Sequence, residues 1–190
     1  KKPNKKKILI IGSGFIGLLI SKIIEIKFKS PDVTIIDRNK HKLKLVPKKF
    51  KKHIFKTKKI ENFFVNRFDY VIDTTGSSEV INLALNYVKN QGSITLMGNI
   101  NENVTLKKKN VNLILRKELS IIGVWNSNYK NLSQNDWEEV LKLLKKGLKP
   151  SKYLSHKIKL EQLPKYLNKI YLNKLRKKKF KYLKIVINND

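Results

Sequence analysis

The stretch "ILIIGSGFIGLLISKII" (Ile8–Ile24) decides the fold. Ile8 to Ile11 run apolar without a break, the pattern of a strand buried on both faces rather than of a half-exposed one. The run then breaks into Gly12-Ser13-Gly14-Phe15-Ile16-Gly17. It resumes with helical spacing, which predicts a helix over Phe15 to Lys27, closed by Ser30-Pro31. A second buried strand follows at Val33 to Asp37, so strand, glycine turn, helix and strand fit the length of one βαβ unit. Such a turn offers the N–H groups of the helix's first turn and the positive end of its dipole, and it suits an anion.

Outward from this unit the alternation continues. Phe68 to Gly76 reads as a strand ending in a polar turn, and Glu79 to Val88 as a helix with its apolar stripe at Val80, Leu83, Ala84 and Tyr87. Gly92 to Asn99 is the next strand, and Glu118 to Trp125 another, after a basic connector. Ser133 with Asp136 resembles a capping box for a helix that keeps Trp137, Val140, Leu141 and Leu144 at helical spacing and stops at Gly147. Beyond Pro150 the pattern changes. "HKIKL" reads as an edge strand, Leu163, Leu167, Ile170 and Tyr171 line one helical face, and "KYLKIVI" is a final strand. Between Asp37 and Asp69 the chain is short and lysine-laden, with at most a short helix and a strand at His53 to Phe55. These elements predict an α/β fold, a doubly wound parallel sheet of the Rossmann type whose ligand sits at the carboxyl ends of the strands. Residues 1–150 are expected to form a dinucleotide-binding domain and residues 151–190 a separate strand-helix-strand segment.

Composition narrows the classes. The 190 residues, 41% of them hydrophobic, suffice for one substantial core. The net charge of +29 suggests a polyanion, but of the 43 basic residues only Arg38, Arg67, Arg116 and Arg176 are arginine. Readers of bases and phosphates favour arginine for its bidentate fork. Lysine here accompanies abundant asparagine and isoleucine, as A/T-rich codons produce, so no specific nucleic-acid partner is expected. No apolar run nears the roughly 20 residues that span a bilayer, so no membrane is expected. The N-terminus carries no signal-peptide pattern and the chain has no cysteine, so the cytoplasm is the expected location. Lys1 stands where an initiator methionine would, and a longer chain upstream is expected.

Gly12, Gly14 and Gly17 form G-x-G-x-x-G after a strand and opening a helix. In that setting the glycines serve a tight turn, the approach of a pyrophosphate and close helix packing. Asp37 ends the second strand about 20 residues after Gly17, where a carboxylate takes hydrogen bonds from ribose hydroxyls and repels a 2′-phosphate. NAD is thus expected ahead of NADP. Arg38 beside it suits stacking on adenine or tolerance of a 2′-phosphate. The turns Thr74-Thr75-Gly76 and Met97-Gly98-Asn99 end two later strands at the same edge and are assigned to the nicotinamide half, with Asp73 in a structural role. His41, His53 and His156 lack ligand-like spacing and are read as surface or packing residues, and no metal ligand or catalytic residue is assigned.

"ILIIGSGFIGLL", "VTIIDRNKHKL", "FDYVIDTTGSSEVINLALNYVKNQGSITLMGN" and "ILRKELSIIGVWNSNY" followed by "WEEVLKLLKKG" resemble the coenzyme-binding domain of the zinc-type medium-chain alcohol and polyol dehydrogenases. "RKELSIIGVW" is most similar to members acting on sugar phosphates. The resemblance implies that Gly12, Ser13, Gly14, Phe15, Ile16, Gly17, Asp37, Arg38, Thr74, Thr75, Gly76, Met97, Gly98 and Asn99 bind NAD. It implies a polyol or sugar-phosphate substrate, and a homo-oligomer paired through the sheet edge around Ser93 to Met97 and Ser120 to Val124. It also implies zinc only in an N-terminal catalytic domain, against which residues 151–190 would pack; alone, these residues are expected to hold coenzyme without turnover.

Two other readings stay open. Regulatory domains of potassium transport systems share the glycine turn and the "VTIIDRN" look, which fits a non-catalytic NAD sensor. A nucleic-acid-binding protein would bind with an affinity that collapses with salt.

Overall fold

The computed structural model describes residues 6–55, 61–100, 102–127, 129–131, 134–175 and 181–188. Two compact units divide the chain, one through Leu148 and one from Lys149 onward.

The first unit carries the strands β1 (Lys7–Ile11), β2 (Asp32–Asp37), β3 (Lys51–Ile54), β4 (Phe68–Asp73), β5 (Val88–Leu96) and β6 (Ser120–Gly123). All six pair in parallel, in the order β3-β2-β1-β4-β5-β6. The chain therefore winds outward from the centre to β3, then crosses back to β4 and winds the other way. The crossing leaves a switch point between β1 and β4, where an open α/β sheet forms its crevice. Ile11 aligns with Ile36 on one side and with Asp73 on the other, so the turns after all three strands open on one edge.

The helices α1 (Phe15–Lys27), α2 (Lys40–Leu43), α3 (Ser78–Tyr87), α4 (Lys108–Arg116) and α5 (Asp136–Lys145) connect them, together with two short antiparallel strands, β7 (Tyr129–Asn131) and β8 (Gln134–Asn135). α1 spans the predicted residues and buries Gly17, Leu18, Ser21 and Ile24, one stripe at helical spacing. It ends at Phe28, whose N–H donates to the Ile24 carbonyl as the chain turns extended, two residues ahead of Ser30-Pro31. The predicted stripe of α3 (Val80, Leu83, Ala84, Tyr87) is buried throughout, against a core that includes Leu9, Ile11, Ile36, Val71 and Ile94. Phe64 meets Phe68 and Tyr87 in that core and takes His53 at its edge, 5.2 Å between centroids, which makes His53 a packing residue.

The structure corrects the reading of the sequence at four places. The basic connector contains a helix, α4, which packs half-buried Ile114 against the core and buries Asn110 fully. The Asn110 amide donates to Asn82 Oδ1 at 2.6 Å, and Asn82 in turn donates to the Ser78 and Thr105 carbonyls, so amides seat α4 against α3. β5 starts at Val88 rather than Gly92, because the strand passes through an irregular register opposite Phe68 and Tyr70. Lys117, at the end of the basic connector, is buried: its ammonium donates to the carbonyls of Leu85 (2.9 Å), Val88 (2.8 Å) and Asn86 (3.4 Å) and closes the end of α3. Burial pushes the Lys117 ammonium below the ordinary lysine pKa. α5 is capped by Asn135, whose side chain accepts the Glu138 N–H at 2.8 Å, and Ser133 lies outside the described residues. In α5 Leu143 is buried, whereas Trp137, Val140, Leu141 and Leu144 are exposed.

The second unit pairs β9 (His156–Ile158) in parallel with β10 (Ile185–Ile187) and carries α6 (Leu163–Lys174). Of the predicted α6 face, Leu163 and Ile170 are half-buried, and Leu167 and Tyr171 are exposed.

Candidate functional site

The turn after β1 is built from three glycines with unlike reasons for being there. Gly12 adopts a φ of +101°, in the left-handed region, and a Cβ on it would stand 2.5 Å from Thr74 Oγ1. A Cβ on Gly17 would lie 2.0 Å from the Gly12 carbonyl oxygen, so only glycine lets α1 approach this closely. Both are demanded by the fold. Gly14, the N-cap of α1, has an ordinary φ of −69° and would place a Cβ in open space, with nothing within 4 Å. The fold leaves room there. Helix geometry leaves the first N–H groups of α1 without intrahelical partners, and the N–H of Leu18 makes the bond to the Gly14 carbonyl. Phe15 is half-buried and Ile16 exposed at this end of the helix.

Asp37, at the tip of β2, is fastened to this turn. Its Oδ2 accepts the Ser13 backbone N–H at 2.6 Å and the Ser13 hydroxyl at 2.9 Å, while Oδ1 accepts the Asn39 N–H at 2.7 Å. Ser13 is fully buried, Asp37 half-buried and Arg38 exposed. Asn39 caps α2 by accepting the N–H groups of His41 and Lys42. Sequence reasoning placed Asp37 correctly at the strand end, but its link to Ser13 joins residues on either side of a crossover helix. The Asn39 cap, by contrast, carried a local signal: asparagine directly before a lysine-rich helical turn.

The turn after β4 closes the other side. The Thr74 hydroxyl donates to the carbonyls of Ile11 (3.0 Å) and Gly12 (3.3 Å), tying β4 to the glycine turn. Asp73 is buried, and its Oδ1 accepts both the N–H and the hydroxyl of Thr75 at 2.7 Å. Burial pushes the Asp73 carboxyl above the usual carboxylate range, against the pull of the Thr75 hydrogen bonds. The Asp73 carbonyl accepts the N–H groups of Met97 (2.9 Å) and Gly98 (3.2 Å). A Cβ on Gly98 would stand 2.2 Å from the Gly76 nitrogen, so the turns after β4 and β5 touch backbone to backbone. The structure thus gathers the Gly12–Gly17 turn, Asp37, Thr74–Gly76 and Met97–Asn99 at one edge of the sheet.

At this edge come together open space beside the Gly14 α-carbon, a helix N-terminus and a carboxylate at the neighbouring strand end. The chain has no cysteine, and among the described residues no three His, Asp or Glu side chains gather.

A six-stranded parallel sheet in this order, with a glycine turn beside the switch point, is a Rossmann-type fold. Residues 16–146 match the model of the zinc-binding dehydrogenases, and the chain belongs to that family. Galactitol 1-phosphate 5-dehydrogenase of Escherichia coli (strain K12) is 29% identical over 149 residues, which are 74% of this chain and 42% of that protein. The chain therefore spans less than half the length of that relative. Among solved structures, galactitol-1-phosphate dehydrogenase from Escherichia coli has a TM-score of 0.74 at 24% identity, over 89% of this chain and 51% of that one. S. aureus TarJ in complex with NADPH gives 0.72 at 20% identity, over 98% of this chain and 56% of the other. A short chain alcohol dehydrogenase (rspB) from E. coli CFT073, complexed with NADH, gives 0.70 at 22% identity, over 88% and 49%. At these identities the structural likenesses speak for the fold alone.

Proposed function

We propose that this chain is the NAD-binding half of a zinc-dependent dehydrogenase that oxidises a polyol or sugar phosphate to a ketone. The observation that carries the coenzyme assignment is Gly14. Neither its backbone angles nor its neighbours require glycine, so the space it leaves is best explained by a ligand that must come close to the turn. The N–H groups at the start of α1, with the helix dipole behind them, hold the pyrophosphate over that space. Asp37 accepts a hydroxyl of the adenosine ribose, and its charge disfavours a 2′-phosphate, which favours NAD over NADP. Exposed Arg38 flanks the adenine. The Thr74–Gly76 and Met97–Asn99 turns, locked together through the Asp73 carbonyl, frame the nicotinamide half and keep its ring in one orientation. When bound, the nicotinamide supplies the hydride acceptor. The structural relatives solved with NADH and with NADPH support a nicotinamide coenzyme of either kind, and Asp37 tips the choice.

Zinc and the substrate pocket are assigned to an N-terminal catalytic domain of the whole enzyme, and no step of the chemistry is assigned to residues of this chain. Residues 151–190 would return to that domain, which agrees with the exposed Leu160, Leu167 and Tyr171. The edge strand β6, with Ile121, Ile122, Val124 and Trp125 exposed, is the surface through which two copies would pair. The 29%-identical galactitol relative supports a sugar-phosphate substrate, and the family membership favours a dehydrogenase over a free-standing sensor. The cytoplasm is the proposed location.

Titration of the chain with NADH, followed by nicotinamide fluorescence, tests the reading. Wild type is expected to bind, and Gly14→Leu to lose binding while melting only a few degrees lower (about 2–4 °C), since the first atom of the new side chain meets nothing within 4 Å and the change costs an N-cap preference of about 1 kcal/mol. Equal binding by both proteins, or no binding by wild type, overturns it.

A further inference from the structure

Asp37 does not stand free at the strand tip. Three donors hold it, and two of them come from one residue: the Ser13 N–H and hydroxyl both end on Oδ2, at 2.6 and 2.9 Å. Among the described residues, Oδ1 accepts the Asn39 N–H alone. A carboxylate oxygen accepts about two hydrogen bonds in its plane, so Oδ2 is filled and Oδ1 keeps one direction open. Ser13 is fully buried, so its own hydroxyl is out of reach of a ligand arriving from solvent. Asp37 as a whole is half-buried, so part of the residue remains open to solvent.

This arrangement bears on coenzyme choice. A strand-end aspartate that is free to rotate can swing its charge away from a 2′-phosphate and so admit NADP. One held by short, charge-assisted hydrogen bonds cannot turn without breaking them. We propose that Ser13 is the specificity-determining positioning residue of this site: by clamping Asp37 Oδ2 from below, it keeps the carboxylate facing the ribose 2′-position and enforces NAD over NADP. The inference rests on the coenzyme reading above. It adds that discrimination is set by a buried hydroxyl that never meets the coenzyme, and that the pyrophosphate turn and the ribose reader move as one piece.

A double-mutant cycle on the full chain tests it, reading dissociation constants for NADH and NADPH by nicotinamide fluorescence. Ser13→Ala removes one hydroxyl and leaves the backbone N–H bond. It is expected to lower the NADH-over-NADPH preference about five- to tenfold, the scale of one net hydrogen bond. In an Asp37→Ala background, where there is no carboxylate to orient, the same substitution should leave the ratio within about twofold. A merely structural Ser13 would weaken both coenzymes alike in both backgrounds, and that result overturns the proposal. So does a wild type that shows no preference for NADH, while the coenzyme reading survives. Wild type that binds neither coenzyme sinks the coenzyme reading itself and this inference with it. Ser13→Cys, with a weak donor of similar size, serves the same cycle should the alanine variant not fold.

Discussion

β1 and β6 are short, isoleucine-bearing strands of one parallel sheet, β1 at its centre and β6 at its edge. In β1 the residues Leu9, Ile10 and Ile11 are buried between two paired neighbours and the layers above and below. In β6 all four residues are exposed, Ile121 and Ile122 at 44% and 48%, and one side of the strand has no partner among the described residues. The same residue type thus stabilises the fold in one place and remains available in the other. An apolar run in the sequence reports that a strand is meant to be covered; only its position in the sheet tells whether this chain supplies the cover. The candidate site lies wholly on the self-sufficient side, among turns fixed by backbone contacts.

Substitutions can break or sharpen this contrast. Ile10→Ala should destabilise the chain most, by about 2–5 kcal/mol in denaturant unfolding, because it empties a site with no exposure. Gly17→Ala comes next, at about 1–3 kcal/mol, since the added methyl must push back a backbone oxygen. It should also abolish NADH binding. Lys117→Met should cost about 1–3 kcal/mol by leaving buried carbonyls at the end of α3 without a donor; no change would mean that the ammonium is solvated after all.

A pH series separates Asp73 from these packing effects. The unfolded chain releases this proton in the ordinary carboxylate range, whereas the fold retains it to higher pH. The folded form therefore binds more protons in that interval, and this group's contribution to stability is lost as pH rises through its raised pKa. Asp73→Asn keeps an acceptor for Thr75 and does not titrate. Its stability relative to wild type should grow as pH rises from about 4, and a constant difference would remove Asp73 from the account. The smallest effect is expected at the edge: Ile122→Ala should change unfolding by about 0.5 kcal/mol or less. A loss as large as that of Ile10→Ala would erase the contrast between the two strands, whereas weaker self-association in sedimentation would sharpen it.

What the sequence made legible follows the same line. β1, α1 and β2 could be read because each announces itself locally, through an unbroken apolar run, a glycine turn and a buried stripe at helical spacing. α4 was passed over because its run of lysines reads as a connector, although Ile114 reaches the core; the amide contacts of Asn110 leave no local signal. Nor could Lys117 be read locally, since a lysine among charged neighbours looks solvated until three carbonyls converge on it. At the site, the glycines and Asp37 were visible one by one, but the clamp between Ser13 and Asp37 exists only once α1 has folded the two strands side by side.

The central place of β1 also sets the order of events during synthesis. Its partner on one side, β2, follows within one helix, but the register of Ile8 with Tyr70 defers the other side by roughly 60 residues. At ribosomal rates of about 5–20 residues per second, an apolar strand waits roughly 3–12 s with one edge unpaired. For that interval the strand that later lies deepest in the sheet is the most exposed to wrong pairing, and β4 is what ends its vulnerability.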